Sequence, residues 1–434
     1  MQKIPDGADK LAALLLSVVM LTACGGGGGG VGGGSGNNLY IGAPGSAPPG
    51  VLTPAPAANG NNSIAVVVDT GPAQAAGQIN IPYVSVTVCT PGTSGTTAAC
   101  QTIDHVQLDT GSYGLRLLKP VLYSNLALPA VTSGNSAIGE CVAFAIGVTW
   151  GSVRYADIYL GGEVARSVPI QDIGDTPGGE TAVPVDCSSY GQIQDTQAQL
   201  GANGILGVGL FKNDCDQCLT ASPPLAGAYY ACTSVGCTYS DVMASQVVQN
   251  PVADFAQDNN GVLISLPSIG NTGAAYSNVS GTLTFGISTQ SDNSLGGATV
   301  YATDQYGNIQ TAFNSTTISS FIDSGSNALF FNDSLPMCTG ITWAYCPSPS
   351  PLTLSASNMS ASATTGTPVS FSIVGADTLN VGVVAANIAG TWTGSPPQFD
   401  WGLPFFFGRP VYTAISGAIV AKSGGLATGP FFAY

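Results

Sequence analysis

The sequence predicts an all-β protein built as two β-rich lobes, and three observations carry that prediction. From Ser63 onward, apolar runs of roughly three to six residues recur between Gly, Pro, Asn and Ser, which is how strands separated by turns are written. Gly occurs 58 times and Pro 28 times in 434 residues, a balance that favours strands and tight turns over long helices. An apolar segment ending in Asp, then Thr or Ser, Gly and Ser, occurs twice. A chain of this length exceeds what one sheet comfortably organises, so two lobes are expected.

The runs that read as strands are Ile64–Val68, Tyr83–Val88, His105–Leu108, Ile158–Leu160, Val262–Leu266, Thr282–Phe285 and Phe371–Val374. They alternate or are continuously apolar, and each is too short for a helix. Pro251–Gln257 is a short helix candidate.

Composition removes several functions. Nine Lys+Arg face 24 Asp+Glu, a formal charge of −15, so no basic stripe for nucleic acid can form. Charged residues make up 8% and apolar residues 44%, the reverse of a disordered chain. The single histidine, His105, excludes a multi-His metal site, and any His-based triad would have to use it. It lies four residues before Asp109 on the incoming strand, where a strand-face role is preferred over a catalytic one.

Before Ser63 the chain reads as export and tethering. Lys3 and Lys10 precede the apolar run Leu11–Leu21, which has signal-peptide length and is too short to span a bilayer. Leu21-Thr22-Ala23-Cys24 resembles the bacterial lipobox, in which the Cys is lipidated and becomes the mature N-terminus. A plain secretory signal is the alternative. Residues 1–23 are thus expected to be a lipoprotein signal and Cys24 the lipidation site, anchored by acyl chains without a spanning helix. Residues 24–62, rich in Gly, Pro, Asn and Ala, read as a flexible tether. Such a tether would hold a domain about 30–40 Å from the membrane. Its glycine run is no phosphate loop, because no Lys-Ser/Thr follows it.

Ten further cysteines agree with an oxidising compartment: Cys89, Cys100, Cys141, Cys187, Cys215, Cys218, Cys232, Cys237, Cys338 and Cys346. Close spacing suggests Cys89–Cys100 and Cys338–Cys346 as loop staples and Cys141–Cys187 as a longer one. The group Cys215, Cys218, Cys232 and Cys237 has the look of a zinc ribbon, but export favours disulfides there too.

The repeated segments are His105-Val-Gln-Leu-Asp109-Thr110-Gly111-Ser112 and Ser320-Phe-Ile-Asp323-Ser324-Gly325-Ser326. An Asp closing a buried strand is costly unless hydrogen-bonded or used. The Gly permits a sharp turn and close backbone approach. One such copy usually marks only a turn, whereas two suggest pseudo-equivalent lobes that each supply one Asp.

In these motifs the chain resembles the pepsin-like, bilobal aspartic endopeptidases, and more closely a group of bacterial lipoproteins carrying such a domain. Supporting elements fall in the family's order. They are Pro82-Tyr83-Val-Ser-Val-Thr-Val88, then Asn203-Gly204-Ile205-Leu206-Gly207-Val208-Gly209, then Gly281-Thr-Leu-Thr-Phe285-Gly286, and Trp401-Gly402-Leu-Pro-Phe405 with its continuation to Tyr412. The resemblance implies two pseudo-symmetric β-barrel-like lobes, 63–290 and 291–434, with an active-site cleft between them. It implies Asp109 and Asp323 as a catalytic dyad. Thr110 and Ser324 would cross-brace the two loops, Gly111 and Gly325 would form their turns, and Ser112 and Ser326 would hold the outer carboxylate oxygens. No metal or cofactor is implied.

The resemblance also implies a β-hairpin flap, best matched by Cys141–Gly162. Counting back from Gly161-Gly162 sets Phe144 where the family carries a Tyr and puts Trp150 near the hairpin tip, as flap and substrate-binding residues; the bland reading is that both aromatics merely pack. Arg116 replaces a Trp usually found seven residues after the first Asp. No basic pro-segment precedes the dyad. Phe211–Met243 reads as a Cys-rich insertion at the lobe's edge, preferably a stapled surface loop.

The function expected is an envelope-tethered, monomeric aspartic endopeptidase acting on an extended polypeptide laid between the lobes. The alternative is a catalytically inactive binding or inhibitor-type lipoprotein on the same scaffold, engaging a protein partner there. Contact with membrane would be through the lipid anchor only. Gly25 after Cys24 is not the residue associated with inner-membrane retention, which points to the outer membrane or cell surface.

Overall fold

A computed structural model describes residues 62–92, 100–145, 147–270 and 272–434. The leader, Cys24 and the tether up to residue 61 lie outside the described residues. The fold is nearly all β, with closed and nearly closed barrel-like sheets, as the composition and the run lengths predict. The expected strands fall within observed ones: Ser63–Val68, Pro82–Cys89, Cys100–Asp109, Gly147–Leu160, Gly261–Ser265, Val279–Phe285 and Thr367–Ile373. The last residues of two runs, Leu266 and Val374, sit one position past their strands.

The helix candidate at Pro251–Gln257 is corrected. Only a 3-10 turn forms, Pro251–Asp254, and it leaves helical geometry at Phe255. Pro251 suits a first turn because it has no N–H to satisfy, and the Asn250 side chain accepts from Val252 N. Phe255 is extended and buried in the apolar core, which ends the turn there, well before the next strand, Gly261–Ser265.

The two halves are joined by six antiparallel strands in the spatial order Ser63–Val68, Val279–Phe285, Gly261–Ser265, Pro410–Ala414, Phe431–Ala433 and Val300–Ala302. Three come from the chain before residue 290 and three from the chain after it. The central pairing, Gly261–Ser265 on Pro410–Ala414, carries the sheet from one half to the other. One continuous apolar core lies against these strands and includes Val66, Leu283, Ile264, Val411 and Phe432.

Each half repeats one three-strand arrangement. In the first, Gly204–Val208 lies between Cys100–Asp109, to which it is parallel, and Tyr113–Leu118, to which it is antiparallel. In the second, Gln398–Trp401 lies between Thr316–Ile322, parallel, and Leu329–Phe330, antiparallel. The strand entering the second arrangement leaves a tight hairpin at Asn314-Ser315, both with positive φ, the conformation whose twist suits two-residue hairpins. Beneath it, Phe313, Phe331, Phe371, Phe399 and Trp401 pack in stacked and edge-to-face contacts.

The ten described cysteines form five disulfides: Cys89–Cys100, Cys141–Cys187, Cys215–Cys218, Cys232–Cys237 and Cys338–Cys346. The four cysteines that resemble a zinc ribbon are therefore consumed as two local staples. Among the described residues no helix is long and apolar enough to cross a membrane. The disulfides are compatible with an exported protein.

Candidate active site

Both motif aspartates stand where a strand stops and its chain turns back. Asp109 ends Cys100–Asp109, and Asp323 directly follows Thr316–Ile322. Each turn is closed by its own carboxylate. Gly111 N donates to Asp109 Oδ1 at 2.7 Å, and Gly325 N donates to Asp323 Oδ1 at 2.7 Å. Ser112 Oγ donates to Asp109 Oδ2 at 2.5 Å, and Ser326 Oγ lies 3.0 Å from Asp323 Oδ2.

The two loops hold each other reciprocally. Thr110 N donates to Ser324 Oγ at 3.1 Å, and Ser324 N donates to Thr110 Oγ1 at 2.9 Å. The same hydroxyls donate onward, Ser324 to Leu108 O at 2.8 Å and Thr110 to Ile322 O at 3.2 Å. Gln107 Nε2 adds a further bond across the halves, to Gly325 O at 3.0 Å. Thr110 and Ser324 are buried, so their own hydroxyls and N–H groups have no water as a substitute partner.

This grip presses the carboxyls together, and Asp109 and Asp323 are in hydrogen-bond contact. The glycines permit it. A Cβ on Gly111 would lie 2.6 Å from Asp323 Cγ, and one on Gly325 would lie 2.6 Å from Asp109 Oδ1. Burial and the neighbouring Asp109 carboxyl hold Asp323 well above the usual carboxylate range. Two carboxyls so close share one proton and titrate as a pair.

Three features escaped the sequence reading. Asp400 is completely buried behind Ser326, whose Oγ lies 2.6 Å from Asp400 Oδ2. Its signal was visible in retrospect. Asp400-Trp401-Gly402 aligns with Ile205-Leu206-Gly207, so an Asp occupies an apolar position of the repeated element. Tyr113 packs edge-on against Phe211, its hydroxyl pushed up by burial and by Asp109 and Asp323. Arg116 is buried and bridges two acids, Glu140 Oε1 at 2.7 Å and Asp214 Oδ2 at 2.9 Å, with Tyr229 donating to Asp214 at 2.8 Å. That cluster ties the returning strand Tyr113–Leu118 to the hairpin strand Ser136–Phe144 and to the Cys-rich segment. The strands of that segment, Tyr229–Thr233 and Gly236–Tyr239, extend the outer edge of the hairpin.

The hairpin itself is Ser136–Phe144 with Gly147–Leu160, closing at the Phe144–Gly147 pair. Phe144 therefore stands at its tip, half-buried against the cluster of Tyr83, Leu118 and Leu200, with the Arg116 guanidinium 5.9 Å from its ring centre. Trp150 is a correction. It pairs with Cys141, back from the tip, and is 3% exposed among Val148, Cys187 and Tyr230. The reading from Gly161-Gly162 misplaced the turn, and Trp150 serves as hairpin core. His105 lies 3.3 Å from Asp69 and 3.2 Å from Asp104, away from the dyad. Cys24 falls outside the described residues.

Residues 58–434 match the family described as "Protein of unknown function (DUF3443)". The chain belongs to that family. No curated protein matches this DUF3443 member in sequence. Among solved structures it is similar to the aspartic proteinase from Irpex lacteus, at 14% identity and a TM-score of 0.48, over 86% of this chain and 96% of that one.

Proposed function

We propose that this DUF3443 protein is an aspartic endopeptidase, hydrolysing peptide bonds with water activated by Asp109 and Asp323. The observation that carries this reading is the contact between two carboxyls delivered by matching loops and gripped by Thr110 and Ser324. Asp323, held above the usual range, keeps the shared proton and acts as the acid toward the scissile carbonyl. Asp109, with Gly111 N and Ser112 Oγ donating to it, is the base that takes a proton from the attacking water. When the tetrahedral intermediate collapses, Asp109 gives its proton to the departing amine nitrogen, Asp323 regains a proton from the gem-diol hydroxyl, and no covalent intermediate forms. Phe144 at the hairpin tip is the aromatic element of the lid. We further read 63–290 and 291–434 as the two lobes, Cys24 as a lipid anchor, and the bacterial envelope as the location.

A binding protein on the same scaffold is the second reading, and one observation favours it. Asn80 donates to Asn327 O and Ala386 O, each at 2.7 Å, and Ala145 at the hairpin tip packs against the apolar cluster of the second half. Contacts thus already cross between the halves next to the Asp323 loop, at Asn327.

The test is cleavage of a denatured protein from pH 3 to 7, alongside Asp109→Asn and Asp323→Asn and with a statine-type transition-state analogue. Activity lost in both variants and blocked by the analogue is the expected result. No cleavage at any pH by a folded, disulfide-bonded sample would move the assignment to the binding reading.

A further inference from the structure

The two halves of the site are not equivalent, and the difference is a third carboxyl. Ser112 Oγ has one acid beside it, Asp109. Ser326 Oγ has two, Asp323 Oδ2 at 3.0 Å and Asp400 Oδ2 at 2.6 Å. One hydroxyl carries one hydrogen and cannot donate to both. The three groups must therefore form a directed chain, running either from Asp323 through Ser326 to Asp400 or the reverse.

Burial decides the direction. The first direction needs Asp400 either as the anion or as an acid whose own O–H, on Oδ1, is left without a partner. Asp400 is 0% exposed, its Oδ1 has no hydrogen-bond partner, and no lysine, arginine or histidine among the described residues pairs with it. The residues in register beside it are Phe321 and Phe330, both members of the apolar cluster of this half. The charged groups that face it are Asp323 and Asp109, which repel a second negative charge. An unpaired buried carboxylate is among the costliest placements a fold can make, whereas the neutral acid is affordable.

We propose that Asp400 is a positioning residue, held as the neutral acid, whose O–H donates to Ser326 Oγ so that Ser326 must donate to Asp323 Oδ2. The outer oxygen of Asp323 is then occupied by an incoming hydrogen, and the dyad proton is confined to the inner oxygen, facing Asp109. That is where acid catalysis on a substrate carbonyl needs it. Ionisation of Asp400 would turn the Ser326 hydroxyl away and free the outer oxygen to hold the proton. The repeated element in the first half carries Ile205 at this position, so the device belongs to Asp323 alone. The catalytic meaning of this chain rests on the peptidase reading; its hydrogen-bond direction does not.

Carboxyl titration by carbon-13 NMR on the full chain, with label at the aspartate side-chain carboxyl, tests it directly. Resonances are assigned by their loss in Asp323→Asn and Asp400→Asn. Asp400 should read as protonated at pH 5 and above. Asp400→Asn keeps an N–H donor toward Ser326 and should leave the Asp323 titration in place. Asp400→Ile, which copies the first half, leaves Ser326 only Asp323 to donate to and should likewise move the Asp323 titration by less than about half a pH unit, whereas loss of an ionised Asp400 would lower it by about one unit or more. In a Ser326→Ala background the same Ile substitution should add nothing. An ionised Asp400 at pH 5, or a fall of about one pH unit or more in the Asp323 titration when Asp400 is replaced, would overturn the proposal. In the cleavage assay, Asp400→Asn should extend the basic limb of the kcat/KM profile relative to the native protein. Absence of cleavage with the NMR coupling intact would sink the peptidase reading and leave the directed chain standing.

Discussion

Replacing Thr110 by Val tests whether the loop grip holds the two halves of the site together. Val has the shape of Thr, so no cavity opens, and only the hydroxyl is lost. That hydroxyl accepts from Ser324 N at 2.9 Å and donates to Ile322 O at 3.2 Å. Thr110 is 2% exposed and Ser324 0%, so the orphaned N–H cannot turn to water. An unsatisfied buried donor costs about 1–3 kcal/mol, and the orphaned carbonyl adds to it, so Thr110→Val should lose about 2–4 kcal/mol. Ser324→Ala orphans Thr110 N and Leu108 O and should cost a similar amount. The double variant should cost less than the sum by about 1 kcal/mol, because parted loops admit water to both orphans. Thr110→Ser keeps the hydroxyl and serves as the control. Urea denaturation followed by tryptophan fluorescence measures all four, since Trp401 is buried in the core beneath the site. A loss under about 0.5 kcal/mol for Thr110→Val, equal to that for Thr110→Ser, would refute the reasoning.

Two further outcomes follow from buried charge. Asp172 is pushed up to about 6, chiefly by burial, despite Lys119 at 3.0 Å. The fold therefore binds its proton more tightly than the unfolded chain does. That stability is fully present below about pH 4 and is lost as pH rises through about 6, amounting to about 3 kcal/mol at most. Denaturation midpoints at pH 4 and pH 7 should reveal it, and Asp172→Asn should flatten the dependence. Arg116→Met should cost about 3–5 kcal/mol, because Glu140 and Asp214 remain buried without their cation. Adding Glu140→Gln and Asp214→Asn should recover much of that loss in the same denaturation assay, and failure to recover would show that the arginine acts through packing instead.

Strand content, the repeated aspartate loops and the cysteine staples could be read directly from the chain because each is a local property. Alternating apolar residues mark strands wherever they fold, and Asp-Thr-Gly-Ser and Asp-Ser-Gly-Ser carry their turn chemistry within four residues. The close pairs Cys89–Cys100 and Cys338–Cys346 are short enough for spacing to indicate them. Phe144 and Trp150 lay beyond such reading, since a hairpin's turn is set by pairing register, and the Phe144–Gly147 closure moved Trp150 into the core. Pro251–Gln257 failed as a helix because Phe255, drawn into the apolar core, is extended and ends the turn at Asp254.

The chain alone thus determined that two carboxyls would stand at two strand ends. Only the tertiary structure decided that they touch, and that Asp400 stands behind one of them. Hydrogen bonds such as Thr110 to Ser324 and Ser326 to Asp400 join segments far apart in the chain. Whether an aspartate is a solvated turn residue or a buried neutral acid depends on what the rest of the fold packs around it. Asp400 reads as an ordinary acidic residue until Phe321 and Phe330 flank it and water is gone.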